Sequence, residues 1–321
     1  MAPRPPSTTS DVQPFDLREQ LQEEVLDRTE RSMGVRLDRS TMVYGTQGMT
    51  ARFRTDAGTW VRVQWRRPSK IYGPAWAGAE CASMVRGVAK PDWFQTASWR
   101  DDTRGVVWRV DEMELVSSAV INSTGVIGIE PELPESWWVS LKTSLAALAE
   151  HQTDRVGMRQ EHLSLRINQV FPGEVDTTIE EWVTAQADLH WGNLTAPDCY
   201  LLDWEDWGAA PRGYNAAVLC SRNEISYPPG GTSEPLSCDD ANSAGFVVPF
   251  QLLWGVSMQV PALADRVQRE FQTDLQTQSG KLAQLLFCSN VIRVNAKRTD
   301  PSPLVQPAKQ AAETLIAELR A

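Results

Sequence analysis

A chain of 321 residues, 42% of them hydrophobic, can build a large core, and its length suits one two-lobed domain or two small ones. Its net charge of −10 argues against broad binding to nucleic acid or to an anionic membrane, because both need a basic field. Cys81, Cys199, Cys220, Cys238 and Cys288 are odd in number and form no C-x-x-C pair, and His151, His162 and His190 are scattered, so neither a disulfide framework nor a zinc or His-rich metal site is expected.

No apolar run approaches the roughly 20 residues of a membrane-spanning helix, and the start, MAPRPPSTTSD, lacks the apolar segment of a signal peptide. Cytoplasmic location is the expectation. Residues 1–14, rich in Pro, Ser and Thr, read as a disordered tail. Phe15 to Met33 carries apolar residues among charges at helical spacing, through Phe15, Leu17, Leu21, Val25 and Leu26. From Ser40 the pattern becomes two or three strands, with turns at Gly45–Gly48 and Asp56–Gly58. Gly73 to Ala89 reads as a helix, which Pro91 interrupts. FQTASW and GVVWRVDEMELV then read as a second pair of strands, joined by the polar turn Arg100–Gly105.

These elements make residues 15–116 a first lobe of antiparallel sheet with a preceding helix and one internal helix. Residues 117–321 form a helical second lobe. Helices are expected over Glu135–Gln152 and Thr178–Ala185 and, after a small hairpin, near Tyr214–Cys220, Phe246–Met258, Leu263–Leu275, Gly280–Ala296 and Gln306–Ala321. Tyr227 to Gly245 is a long polar loop, either functional or disordered. No internal repeat is present. The expected fold class is α+β and bilobal, and a cleft between lobes is a usual place for a ligand. The 13 tryptophans fit core and lobe packing or, as the sharper alternative, an aromatic acceptor pocket.

The chemistry concentrates in Gln186 to Gly208, QADLHWGNLTAPDCYLLDWEDWG. It holds a D-L-x-x-x-N run (Asp188, Leu189, Asn193), an apolar strand Tyr200–Leu202, and a D-x-E pair, Asp203 and Glu205. This is the logic of phosphoryl transfer: one carboxylate orients the acceptor hydroxyl and receives its proton, while an amide oxygen and a second carboxylate hold Mg²⁺ against a triphosphate. A surface hairpin with solvated acids is the plain alternative.

The run Gln186-Ala187-Asp188-Leu189-His190-Trp191-Gly192-Asn193, followed by Leu201-Leu202-Asp203-Trp204-Glu205, resembles the H-G-D-L-H-x-x-N and D-W-E motifs of the aminoglycoside phosphotransferase and choline kinase family, which has a protein-kinase-like fold. The resemblance covers roughly Val43 to Leu219. It implies ATP and Mg²⁺ as cofactors, Asp188 as catalytic base, and Asn193 and Asp203 as metal ligands. Gln186 stands where the family has a loop-bracing histidine, and glutamine also donates and accepts hydrogen bonds. Ala187 stands where it has glycine.

By the same resemblance Gly45, Gln47 and Gly48 cover the phosphates, although glycine at a hairpin also has a purely steric explanation. Arg62, between Val61 and Val63, replaces the phosphate-binding lysine and pairs with Glu80. Backbone groups of Met113 and Leu115 hold adenine at the hinge. LAALAEHQTDR and APRGYNAAVL match later family segments, with Asn215 in place of a supporting Asp. His190 packs behind the loop and is no metal ligand.

Three functions follow from this pattern. The first is a phosphotransferase for a small-molecule hydroxyl on a sugar, amine or antibiotic. Glu224, Glu234, Asp239 and Asp240 would then draw a cationic acceptor or simply solvate their loop. The second is a Ser/Thr kinase of a peptide, in a peptide-modification pathway with a partner lyase. The third is a non-catalytic scaffold. No nucleic-acid or membrane partner is expected.

Overall fold

Alternation of apolar and polar residues makes strands whose two faces differ. In the computed structural model, which describes residues 16–20, 23–45, 48–71, 73–122, 127, 130–220, 261–296 and 298–321, five such strands lie in the first third of the chain. They are β1 (Leu37–Tyr44), β2 (Thr50–Thr55), β3 (Thr59–Arg66), β4 (Trp93–Asp101) and β5 (Val106–Glu114). They pair antiparallel in the order β1-β2-β3-β5-β4. The expected tail 1–14, the helix Phe246–Met258, the loop Tyr227–Gly245 and Gln47 lie outside the described residues.

The chain divides into two compact units. The first contains residues up to Tyr72 together with Trp93–Leu115. Helices α1 (Leu17–Gln20) and α2 (Glu23–Met33) precede its sheet. The apolar stripe of α2, Val25, Leu26 and Met33, is buried in one core with Phe53 of β2, Val61, Val63 and Trp65 of β3, Trp99 of β4, and Val106, Trp108 and Val110 of β5. The alternate residues occupy the opposite sheet face: Arg52, Arg62, Gln64, Arg109 and Asp111. All but Arg52 of these are buried.

The second unit contains Gly73–Asp92 and the chain from Val116 onward. Its long helices are α4 (Glu135–Glu150), α9 (Gln278–Asn295) and α10 (Val305–Arg320), with the shorter α5 (Gln160–Asn168), α6 (Tyr214–Cys220), α7 (Pro261–Glu270) and α8 (Gln272–Leu275). Helix α9 buries Leu282, Ala283, Leu285, Leu286 and Phe287, and Tyr214 of α6 meets Phe287 with ring centroids 5.4 Å apart. Short strands complete the unit: β6 (Ala119–Val120) pairs with β8 (Thr195–Ala196), and β7 (Trp182–Ala185) with β9 (Gly208–Pro211). Trp65, Trp99, Trp108, Trp137, Trp138, Trp191, Trp204 and Trp207 are core residues. Among the described residues no helix is long and apolar enough to cross a membrane.

Three expectations are corrected. Thr178–Ala185 is not a helix, because Trp182, Val183 and Thr184 suit a pleated strand and Gly208–Pro211 supplies its partner. The helix expected over Gly73–Ala89 is a 3₁₀ turn, Pro74–Ala77, and a short α3 (Gly78–Ala82), after which Gly87 takes a positive φ of 75°. That segment also groups with the helical unit rather than with residues 15–116, for identifiable reasons. Trp207 Nε1 donates to Gly78 O at 2.8 Å, and Leu201 N donates to Ala89 O at 2.8 Å. Ala89 N donates to Ser144 Oγ at 3.1 Å.

Candidate functional site

Strand β7 delivers the chain into the loop 186–193, and a bridge between Leu194 and Leu201 returns it to Leu202 and Asp203. Gln186, wholly buried, joins the two arms. Its Oε1 accepts the backbone N–H of Asp188 at 2.9 Å, and its Nε2 donates to Leu202 O at 2.8 Å and to Asp203 O at 2.9 Å. Glutamine therefore ties the loop to the strand that follows it through both ends of its amide. Ala187 (φ 65°) and Asp203 (φ 57°) both sit in the left-handed region, a strained conformation for non-glycine residues that concentrates where structure over-determines it.

Asn193 closes the loop. Its Nδ2 donates to Asp188 O at 2.9 Å and lies 3.5 Å from Asp188 Oδ2, and its carbonyl accepts Leu202 N at 2.8 Å. With Nδ2 so used, Oδ1 is the atom that can meet a cation. Trp191 anchors the intervening 3₁₀ turn, Trp191–Asn193, stacking on Trp137 at 6.2 Å in the core. His190 sits behind the loop. Its Nδ1 accepts Gly192 N at 3.0 Å, and burial lowers its pKa, so it is a neutral ring. Its Nε2 lies 3.9 Å from Asp188 Oδ2.

The Asp188 side chain keeps 51% of its surface open, so water or an ion reaches it. Desolvation raises its carboxyl above the ordinary range, with repulsion from Asp203 and Asp206 adding to it. The phenol of Tyr214 is held neutral by burial, with the same repulsion from Asp188 and Asp206. A divalent cation relieves such crowding of carboxylates. Among the described residues no group of three or more His, Cys, Asp or Glu side chains could hold a metal by itself. The donor set Asn193 and Asp203 fits an ion that takes one or two protein oxygens and completes its shell with phosphate and water, as Mg²⁺ does.

The other expected residues fall as follows. Glu80 lies in α3, in the same unit as Asp203, whereas Arg62 lies on the polar face of the sheet in the first unit, opposite Asp111 of β5. Met113 is a ladder residue, opposite Trp60 on one side and Trp93 on the other, and Leu115 follows the end of β5. Gly45 N donates to Thr50 O at 2.9 Å and Gly48 N to Gly45 O at 3.0 Å, so neither N–H is left for a phosphate. Gly48 has a φ of 63°, and a Cβ there would lie 2.1 Å from Asp16 Oδ1, which gives its glycine a steric reason. Asn215 has a buried Oδ1 with no hydrogen bond, so it does not brace the loop through that oxygen.

Arg155 was not singled out in the sequence. Its guanidinium donates to Glu205 O at 2.7 Å, Trp207 O at 3.0 Å and Pro74 O at 3.1 Å, and lies 4.7 Å over the Trp207 ring. It pins the D-W-E-D-W-G segment to the residues that open α3. Gly78 completes that contact, since a Cβ there would lie 2.3 Å from Glu205 O and 2.4 Å from Trp204 O. A cavity of about 490 Å³ is lined by Lys142, Glu150, Thr184, Arg212, Asn215 and Asp274 among others, and by none of Asp188, Asn193 and Asp203.

No family model matches the chain, and no curated protein matches its sequence. Solved structures are similar to it at low identity. Amicoumacin kinase hAmiN, in complex with AMP-PNP, Ca²⁺ and Ami, is 10% identical over 92% of this chain and 93% of its own, with a TM-score of 0.49. The GDP and kanamycin complex of APH(2")-IIia is 10% identical over 93% of this chain and 99% of its own, at 0.48. The aminoglycoside phosphotransferase of Alicyclobacillus acidocaldarius subsp. acidocaldarius DSM 446 is 15% identical over 88% of this chain and 93% of its own, at 0.40. At these levels they are similarities alone.

Proposed function

We propose that this chain is a phosphotransferase that moves the γ-phosphate of ATP onto a hydroxyl group. The observation that carries it is the loop itself: one buried glutamine ties the backbone of Asp188 to that of Leu202 and Asp203, Asn193 Nδ2 donates to Asp188 O, and Asp188 is open to solvent. The motif resemblance supports the same roles. Asn193 Oδ1 and the Asp203 carboxylate would hold Mg²⁺, which would neutralise charge on the phosphates.

Asp188 orients the acceptor hydroxyl and takes its proton as the new O–P bond forms and the bond to the ADP oxygen breaks. His190, being neutral, supports the loop without adding charge. Arg155 holds the main-chain carbonyls of Glu205 and Trp207, and so supports the segment that follows Asp203. The motif resemblance assigns Arg62 to the phosphates and Glu80 to an ion pair with it. Leu115, which follows the end of β5, faces adenine through its backbone, whereas Met113 is held in the ladder.

The acceptor is a small-molecule hydroxyl, and a peptide Ser or Thr, with a lyase acting next, is the second class to test. Purified protein with Mg²⁺-ATP is offered a panel of hydroxylated small molecules and a panel of Ser/Thr peptides, and a mass gain of one phosphate is sought. Transfer to one panel that Asp188→Asn abolishes supports the proposal and selects the class. Normal ATP binding with transfer to neither, and no slow ATP hydrolysis, leaves a scaffold.

A further inference from the structure

A buried polar group is either hydrogen-bonded or costly. Asn290, on α9, is 3% exposed, and among the described residues neither its Nδ2 nor its Oδ1 has a hydrogen bond. Arg293 follows on the same side of the helix, because residues three apart are neighbours on a helix surface. Its Nε is also buried and without a hydrogen bond. Among the described residues no carboxylate offsets its charge: burial and repulsion from Arg166 both lower its pKa.

Helix α5 packs against α9 within the same compact unit. His162 and Arg166, four residues apart, share one face of α5. That face meets Arg293: His162 is repelled by Arg166 and by Arg293, and Arg293 by Arg166. Arg166 has a contact of its own, Nη1 donating to Gln169 Oε1 at 3.2 Å. It and His162 bring a guanidinium and an imidazole to the seam, but the unused hydrogen-bonding atoms are those of Asn290 and Arg293. A water satisfies Asn290, donating to Oδ1 and accepting from Nδ2, but leaves Arg293 without a counter-charge beside a second guanidinium. Sulfate meets Arg293 and Nδ2, yet has no proton for Oδ1. Hydrogen phosphate meets all three: its P–OH donates to Asn290 Oδ1, and its other oxygens accept from Asn290 Nδ2 and Arg293 Nε.

We infer that the seam between α5 and α9 is a binding site for a small oxyanion that keeps a hydroxyl, with the chemistry of hydrogen phosphate, held by Asn290 and Arg293. The site is independent of the phosphotransferase proposal, because α5 and α9 carry none of Asp188, Asn193 and Asp203. The bound ion ties one helix to the other, so it acts on the stability of the helical unit. A free phosphate ion and a phosphate ester differ in one respect. At about pH 8 a monoester is a dianion without a proton, whereas inorganic phosphate keeps one, so the site takes the free ion.

The test is calorimetric titration of the full chain at about pH 8, without divalent cations, in the wild type, Asn290→Leu and Arg293→Gln. The probes are inorganic phosphate, methyl phosphate and sulfate at matched ionic strength, and the melting temperature is recorded with and without each. Asn290→Leu replaces an unbonded amide by an apolar group of similar size, so without phosphate it should melt no lower than the wild type. If it does melt lower, Arg293→Gln, at a partly exposed position, decides the question. Phosphate should bind the wild type and raise its melting temperature. Methyl phosphate and sulfate should bind about ten-fold more weakly or worse, and each variant should lose phosphate affinity by about ten-fold or more. Wild-type phosphate affinity in a folded variant overturns the inference. So do equal shifts with phosphate and sulfate, which mark a general salt effect. A wild-type chain that binds no phosphate also overturns it, and leaves a buried water as the partner of Asn290.

Discussion

Gln186 and Asp188 are joined by a hydrogen bond from the backbone N–H of Asp188 to Gln186 Oε1, 2.9 Å long, while the other end of the same amide holds the carbonyls of Leu202 and Asp203. One uncharged side chain thereby sets the separation of the two acids that the proposed reaction needs. Glutamine supplies both a donor and an acceptor at this position, and the brace uses both.

Gln186→Ala removes three hydrogen bonds in a fully buried place. With unpaired backbone groups left behind, the expected loss is about 2–4 kcal/mol of stability. Urea denaturation measures it. Gln186→His, which restores a donor and an acceptor, should recover part of both stability and turnover. A Gln186→Ala protein as stable and active as the wild type would show that the brace is idle.

Arg155 makes a prediction that separates positioning from general stability. Arg155→Ala frees the carbonyls of Glu205, Trp207 and Pro74, and should cost about 2–3 kcal/mol. Because Asp203 lies two residues before Glu205, nucleotide affinity measured with Mg²⁺ should fall several-fold more than affinity measured without it. Arg155→Lys keeps the charge but not the planar fork, and should lie between. Equal losses with and without the metal would reduce Arg155 to a packing residue.

His162 predicts a pH dependence. Burial lowers its pKa below the ordinary 6.5, and repulsion from Arg166 and Arg293 lowers it further. The folded state thus resists a proton that the unfolded chain accepts. The stabilising contribution is complete above pH 6.5 and is lost as pH falls from there toward the lowered folded value. Denaturant unfolding between pH 7.5 and about 5 should show a stability slope that His162→Gln flattens. An identical slope in the variant would assign the acid sensitivity to other groups.

Much of this was legible in the sequence. Alternation of Val61, Val63 and Trp65 with Arg62 and Gln64 announces a strand with one apolar and one polar face, and β3 is that strand. Long periodic helices such as α4, α9 and α10 also stand close to where their apolar spacing puts them. The loop letters single out Asp188, Asn193 and Asp203 as candidates, and the bonds of Gln186 follow from its having a donor and an acceptor. What was missed depends on partners with no side-chain signature. Arg155 binds main-chain carbonyls some fifty and eighty residues away, which no local pattern records. Gly78 is fixed by the backbone of Trp204 and Glu205, and β7 exists because β9 pairs with it. Helix α5 is short and weakly patterned, with only Leu163 and Ile167 buried.

The measurement that bears most directly on the phosphotransferase proposal compares Asp188→Asn with Asp203→Asn in two assays: Mg²⁺-ATP binding by calorimetry, and phosphate transfer or slow ATP hydrolysis. Asp188 meets the acceptor hydroxyl, which has no part in holding ATP, whereas Asp203 meets the metal in both ground and transition states. Asp188→Asn should leave Mg²⁺-ATP affinity within a few-fold and cut the rate by about 10²-fold or more, while Asp203→Asn should lower both. Near-normal turnover by a folded Asp188→Asn protein would contradict the assignment of this loop as the catalytic centre.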